Sequence, residues 1–436
     1  MTDPTPVVVP PPRPGLRVAL VKPDFGVSGG FERVVDRVER ALRADGHEVT
    51  RRTVDLPALP RRAFGVDVSE AAWAQAPEFF RYAAAVDAFS GEDLSRFDAV
   101  VSTQPPSFAA PHPHHLSLFF HHHRVFYDLE DLYVEAGFAS DPDLHREAAR
   151  RVRELDAPHL DDVAWYAAGS ETVRRRLGRF NGMDRVSLFH AGLGVGRSPG
   201  DPAVRPGPEA PATPADAPAR TGAVLCVGRL EFPKRTELLV AALHRLPGVA
   251  GVIVGTGGRH DWIRAVDRHL GAPGVDLDAV DERRLWCSTG LLDPDDPLGV
   301  ASPTTGARSN ITLAGAVDDA TLSHLYATAP CVVAPAHDED YGLTAIEAMA
   351  HGAPVIVCTD GGGLADLVTH EVDGLVVEPT GAAIATAVER VLTDRDLAAG
   401  LAEGGRRRAD ATTWRRADAQ LRVALALALE HEAVHA

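Results

Sequence analysis

Two glutamates eight positions apart, Glu339 and Glu347, flank the start of a segment with helical periodicity. The residues between them suit an anion or a sugar. Gly342 permits a tight entry into the helix, and the first-turn amides at Leu343 and Thr344 have no intrahelical acceptor. Those amides also sit at the positive end of the helix dipole, so a phosphate or a developing negative charge is favoured there. Glu347 lies one turn beyond Leu343 on the same face. A carboxylate accepts two hydroxyl hydrogen bonds at once, which fits the diol of a ribose or a hexose. Both acids also read as solvated charges, but Ile346, Ala348, Met349 and Ala350 surround Glu347 with apolar side chains and predict a largely buried helix.

Further charges follow an earlier apolar run, in Gly228-Arg229-Leu230-Glu231-Phe232-Pro233-Lys234. Arg229 as a planar fork and Lys234 as a point charge suit a diphosphate, although for two isolated loop cations solvation is the favoured reading. The turn Gly255-Thr256-Gly257-Gly258 allows close approach of a ligand to the backbone. It is not a Walker loop, since no Lys-Ser/Thr follows. The histidines His112, His114, His115 and His121 to His123 raise a metal reading, but neither a nearby Cys nor a helical His-x3-His pair supports it.

The elements that must carry these residues alternate strand and helix. Leu16–Val21 reads as a buried strand, Gly26 to Gly30 as a Gly-rich turn, Phe31–Ala44 as a helix closed by Gly46, and Val49–Val54 as the next strand. Strands are predicted at Phe97–Ser102, Leu116–Phe120, Asp161–Ala168 and Val186–Phe189, with a helix at Glu171–Phe180 capped by Ser170. A Pro/Ala-rich stretch at 197–221 supports neither helix interior nor central strand and marks a linker. The alternation then restarts. Strands are predicted at Ala223–Val227, Val249–Val254, Ile311–Leu313, Cys331–Ala334, Pro354–Cys358 and Leu375–Val377. Helices are predicted at Glu237–His244, Asp319–Ala327, Leu343–Ala350, Leu364–Thr369 and Gly381–Thr393. The fold class is therefore α/β, with two doubly wound, Rossmann-like domains facing each other across a cleft. The expected boundaries are 16–196 for an acceptor-binding domain and 222–410 for a second domain, with an insertion at 271–309. Residues 1–15 form a Pro-rich lead-in, and 411–436 a helix packing back on the first domain.

Bulk properties agree. A chain of 436 residues exceeds one compact core and suits two domains. The formal net charge of −17 disfavours nucleic acid and anionic lipid as partners. Cys226, Cys287, Cys331 and Cys358 form no Cys-x-x-Cys pair and three lie in apolar runs, so buried reduced thiols and a cytoplasmic setting are expected. The N-terminus lacks a signal pattern, and no apolar run is long enough to span a bilayer. Arg174-Arg175-Arg176-Leu177-Gly178-Arg179 reads as a solvated helix face rather than a lipid-binding one.

Taken together these motifs resemble the retaining GT-B glycosyltransferases of family GT4. The family's Glu-x7-Glu setting is matched by Glu339-Asp-Tyr-Gly-Leu-Thr-Ala-Ile-Glu347-Ala-Met-Ala-His-Gly-Ala-Pro-Val-Ile356. Its Gly-Arg…Lys pair is matched by Gly228, Arg229 and Lys234, and its Gly-Gly-x-Glu by Gly29-Gly30-Phe31-Glu32. The resemblance implies transfer of a sugar from a nucleotide-diphosphate sugar with retention, without metal or cofactor. It implies that Arg229 and Lys234 neutralise the donor diphosphate and that Glu347 binds the ribose. Glu339 would contact the transferred sugar, and the amides from Gly342 to Thr344 would hold sugar and phosphate. Gly29 and Gly30 would close over the diphosphate. A histidine near the donor sugar is implied, best matched by His121, with the register among His121, His122 and His123 open. Arg124, Tyr127 and Asp128 continue a His-Arg-x-x-Tyr-Asp run on the acceptor side. The family's Gly-Gly-x-x-Glu departs to Gly362-Gly363-Leu364-Ala365-Asp366, which shortens that acid by one methylene. GDP and UDP donors both remain open. A soluble acceptor is expected, such as a glycan precursor or a specialised metabolite. A sugar phosphorylase and a non-catalytic nucleotide-sugar binder are the competing readings.

Overall fold

The computed structural model describes residues 15–26, 30–192, 220, 222–293, 299–300, 306–307 and 309–431. Contacts divide them into two units. The first takes its residues from the N-terminal half, up to 134 and from 139 onward, together with the C-terminal segment from Trp414. The second runs to Thr413 and also includes Glu135–Phe138. The expected linker lies outside the described residues apart from Arg220.

The first unit is built on β1 (Arg17–Asp24), β2 (Glu48–Asp55), a small hairpin of β3 (Arg62–Ala63) and β4 (Val66–Asp67), β5 (Ala99–Ser102), β6 (His115–Phe119), β7 (Trp165–Ala168) and β8 (Val186–Leu188). Apart from the hairpin these form one parallel sheet in the order β2-β1-β5-β6-β7-β8. Every residue of β5 and β6 is buried, as expected for parallel strands covered on both faces. At the edge, β2 keeps only Val49 and Val54 buried. The Trp414–Glu430 helix packs on β6 and β7 and presents Trp414, Ala417, Leu421, Ala424, Leu425 and Ala428 to that core.

The second unit contains β9 (Val224–Val227), β10 (Gly251–Val254), β11 (Ile311–Gly315), β12 (Val332–Ala334), β13 (Val355–Cys358) and β14 (Leu375–Val377). All pair in parallel, in the order β11-β10-β9-β12-β13-β14. The chain turns from one direction of winding to the other between β9 and β12, which is where such sheets open a crevice at their strand ends.

Two expectations are corrected. Residues 161–164 are not strand, because the Pro142–Asp161 helix occupies the approach and β7 begins only at Trp165. Asp141 caps that helix by accepting from the amides of Asp143 and Leu144. The helix expected to reach Thr369 stops at Leu367, since Val368 is extended and the Thr369 amide turns to the Asp373 carboxylate at 2.6 Å. The expected insertion does contain helix, at Glu282–Trp286, and Leu285 and Trp286 are buried.

A polar cluster sits inside the first core. Asp156, 1% exposed, accepts from the Tyr82 hydroxyl at 3.0 Å and the Tyr127 hydroxyl at 2.7 Å. Burial pushes its carboxyl up to about 7, and the two hydroxyls pull only partly the other way. The folded value lies above the unfolded one of about 3.9, so the stability this proton contributes is full below about pH 4 and lost as pH rises through about 7. Asp156→Asn removes that titration. Urea unfolding of both proteins at pH 4.5 and pH 8 should show wild type losing a few kcal/mol more than the variant over that interval. An equal loss in both proteins would rule out the buried proton.

Candidate functional site

In the second unit three loops leave the carboxyl ends of neighbouring strands: 228–235 after β9, 335–342 after β12 and 359–363 after β13. One side chain ties them. Arg235 has a fully buried guanidinium and a left-handed backbone, with φ 55°. Its Nε donates to the Pro335 carbonyl at 2.6 Å, and its terminal nitrogens donate to both Asp360 oxygens at 2.8 and 2.6 Å and to the Ala336 carbonyl at 3.2 Å. The indole of Trp286 covers it at 5.1 Å. His337 adds a contact from Nδ1 to Asp360 at 3.1 Å, and its amide donates to the Pro233 carbonyl at 3.0 Å. Burial raises the Asp360 carboxyl, but the bonds from His337 and Arg235 outweigh it and hold that group well below the usual carboxylate range.

The remaining loop contacts are close. The Glu339 amide donates to the Gly361 carbonyl at 3.0 Å, and the Gly363 amide returns to the Glu339 carbonyl at 2.6 Å. A Cβ added at Gly363 would lie 2.6 Å from the Asp340 carbonyl oxygen. Gly342 has φ 102° and packs so tightly on Leu364 that a Cβ would lie 2.5 Å from its Cδ2. That turn opens the Leu343–Ala350 helix, whose backbone bonding begins with Ala345 and Ile346 donating to the Gly342 carbonyl. The Leu343 and Thr344 amides lie ahead of this ladder, and their side chains are half-buried.

Lys234 and Glu339 are joined directly, as a half-buried ion pair. Glu347 is half-buried and accepts from the Tyr326 hydroxyl at 3.2 Å. Arg229 stands apart from the Lys234–Glu339 pair, with an exposed side chain on Glu231 at 2.7 Å. The Gly228 amide is held on the Val254 carbonyl at 3.0 Å. Asp366 lies in the first turn of the Gly363–Leu367 helix and is exposed.

In the first unit, Gly29 falls outside the described residues, and Gly30 opens the Gly30–Ala44 helix. The start of that helix is pinned from the end of β1. Lys22, 6% exposed, meets both Glu32 carboxylate oxygens at 2.7 and 2.6 Å. The Phe31 ring meets Phe120 edge-on at 4.8 Å, which brings this helix start to the residue preceding His121.

The three histidines after β6 separate by environment. His122 is buried, stacked on Tyr127 at 4.2 Å, with Nε2 on the Asn181 side chain at 2.7 Å. His123 is paired with Glu78 at 3.0 Å. His121 is half-buried and its Nδ1 donates to the His122 carbonyl at 2.7 Å. Arg124 pairs with Asp128 at 2.7 Å, while Tyr127 is buried with its hydroxyl on Asp156. Among the described residues no group of three or more His, Cys, Asp or Glu is arranged to hold a metal ion.

Sequence reasoning passed over Arg235 and Asp360, and also Lys22 and Tyr326. The available signal for the first pair was the Asp immediately before Gly361-Gly362-Gly363, an acid at a strand end that needs a cation. A lone lysine inside the apolar β1 run was the signal for Lys22.

Residues 301–408 match the family profile "Glycosyl transferases group 1". An uncharacterized glycosyltransferase of Methanocaldococcus jannaschii is 31% identical over 175 residues, 39% of this chain and 36% of that protein. The chain spans less than half the length of each of the curated relatives it matches. Among solved structures, sucrose-phosphate synthase from Thermosynechococcus elongatus is 20% identical with a TM-score of 0.57, covering 92% of this chain and 96% of the other. Anabaena HepE, solved in complex with UDP-glucose, is 14% identical with a TM-score of 0.57, covering 94% and 99%.

The buried fork of Arg235 makes the site's first prediction. Arg235→Ala takes the fork from two carbonyls and from Asp360, which keeps His337 and is more than a third exposed, so the expected cost is that of unmet acceptors, roughly 1–3 kcal/mol. Chemical denaturation measures it, and a loss under about 1 kcal/mol would show that the loops do not depend on this side chain.

Proposed function

We propose that this chain, a homologue of the group 1 glycosyltransferases of family GT4 with their GT-B fold, moves a sugar from a nucleotide-diphosphate sugar to a soluble acceptor with retention at the anomeric carbon. The observation that carries the reading is the Lys234–Glu339 pair beside the Gly342 turn, where the Leu343–Ala350 helix begins. A cation, a carboxylate and helix-terminal amides then meet at the strand ends where β9 and β12 diverge.

Lys234, with Arg229 swinging in from Glu231, neutralises the donor diphosphate as it leaves. The amides of Leu343 and Thr344 add the helix-terminal field, a fixed positive end that needs no reorganisation during the reaction. Glu339 receives hydroxyls of the transferred sugar once the diphosphate takes Lys234 from it. Glu347 accepts the ribose hydroxyls. No side chain is assigned as a covalent nucleophile, so the reading is front-face displacement: the acceptor oxygen attacks on the side the phosphate leaves, and the phosphate takes its proton. The protein's part is positioning and charge stabilisation.

His121, half-buried directly after β6 with its Nδ1 on the His122 carbonyl, is assigned to the donor sugar. Arg124, paired with Asp128, is assigned to the acceptor side, while Tyr127 is buried with its hydroxyl on Asp156. The donor base is not assigned. Among the described residues no helix is long and apolar enough to cross a membrane.

Melting curves with UDP-glucose and GDP-mannose identify the donor, since a ligand at a hundred times its Kd adds about 2.7 kcal/mol of stability. Transfer is then measured for Glu339→Gln and Lys234→Ala, each expected to lose at least about a hundredfold, in line with removal of one charge-stabilising group. Near wild-type turnover in both would end the site assignment. Inorganic phosphate as acceptor, giving a sugar phosphate, would mark the enzyme as a phosphorylase instead.

A further inference from the structure

Tyr326 is an unusual residue to find on the inner face of the Asp319–Thr328 helix. Its ring is 1% exposed, and its hydroxyl points at Glu347, donating to Oε2 at 3.2 Å. A buried phenol of this kind normally finds a partner, and here it is the half-buried carboxylate of Glu347 on the Leu343–Ala350 helix. The surroundings hold the ring in place. His351 stacks on it at 5.3 Å and 27°, and Ser323, one turn back on the same helix, meets His351 Nε2 at 3.0 Å. Arg220 reaches in from the chain entering the second unit. It donates to the Tyr326 and Ala329 carbonyls at 2.9 and 3.0 Å and to the His351 carbonyl at 2.5 Å. The ends of the two helices that carry Tyr326 and Glu347 are therefore bound to one guanidinium.

We propose that Tyr326 is a positioning residue for nucleotide recognition: its hydroxyl fixes the plane of the Glu347 carboxylate so that this acid accepts both ribose hydroxyls. The inference rests on the ribose role of Glu347 given above. The physical argument is one of rotamer freedom. A half-buried glutamate has three side-chain torsions, and a two-point grip on a diol requires all three to be set. A hydrogen bond to one oxygen from an immobile phenol sets the last of them before the ligand arrives. Burial and the adjacent Glu347 charge raise the Tyr326 phenol well above its ordinary value, so it remains a donor across the working pH range.

The test compares a nucleotide with its 2′-deoxy analogue on the same protein, which cancels any general loss of stability. Calorimetry is run with UDP and dUDP, and with GDP and dGDP, on wild type, Tyr326→Phe and Glu347→Ala. Wild type should prefer one ribonucleotide over its deoxy form by at least about tenfold, the range of a hydrogen bond to a charged group. Glu347→Ala should abolish that preference, and Tyr326→Phe should reduce it to about two- or threefold while the variant still melts cooperatively. If Glu347→Ala loses the preference and Tyr326→Phe keeps it in full, the positioning role is refuted and the ribose role stands. If Glu347→Ala keeps it, the ribose role falls and the positioning role with it.

Discussion

The second unit depends on placing one guanidinium where no water reaches it. Stripping Arg235 of solvent costs several kcal/mol unless every N–H finds an acceptor. The chain supplies four such bonds, from a carboxylate in the loop after β13 and two carbonyls in the loop after β12. Because the fork is rigid and planar, three loops are referred to one plane. Lys234 precedes that plane by a single residue, and Glu339 follows the Pro335 carbonyl by four. Their meeting is therefore inherited from a side chain that itself touches neither.

The first unit uses a smaller device of the same kind. Its central strands are buried, and among them Lys22, near the end of β1, is a charged side chain nearly enclosed and neutralised by Glu32. A parallel sheet covered on both faces has no polar surface of its own, so ionic groups gather at the strand ends. In both units an ion pair at that edge fixes the entry of a helix or the shape of a loop. The catalytic reading then requires only mobile partners for charges that are already aimed.

Much of this was legible. The strands of the second unit were placed to within a residue or two, because β12 and β13 are short apolar runs with no competing period, and the Leu343–Ala350 helix was read with its limits correct. The glutamates and the glycine between them carried the GT4 resemblance. What failed was local. The Pro142–Asp161 helix is largely polar, so its few buried positions left a weak periodic signal, and its last residue together with the three that follow was assigned to a strand. Arg235 was passed over, because nothing in its local sequence marks it as buried. The acceptor that distinguishes it, Asp360, lies more than a hundred residues away. His121, His122 and His123 could not be separated, since consecutive residues after a strand take different environments only once the core behind them exists.

The four cysteines have a practical consequence. All are free and buried, and burial raises the thiols of Cys226, Cys331 and Cys358 to about 12 and that of Cys287 to about 11. At neutral pH almost none of this sulfur is thiolate, the form that attacks maleimides. All four belong to the second unit, and the first contains none. A cysteine introduced on the surface of either unit would thus be the dominant reactive thiol without removal of any native one. The natural chain is already a background for dye or spin-label pairs that follow each unit.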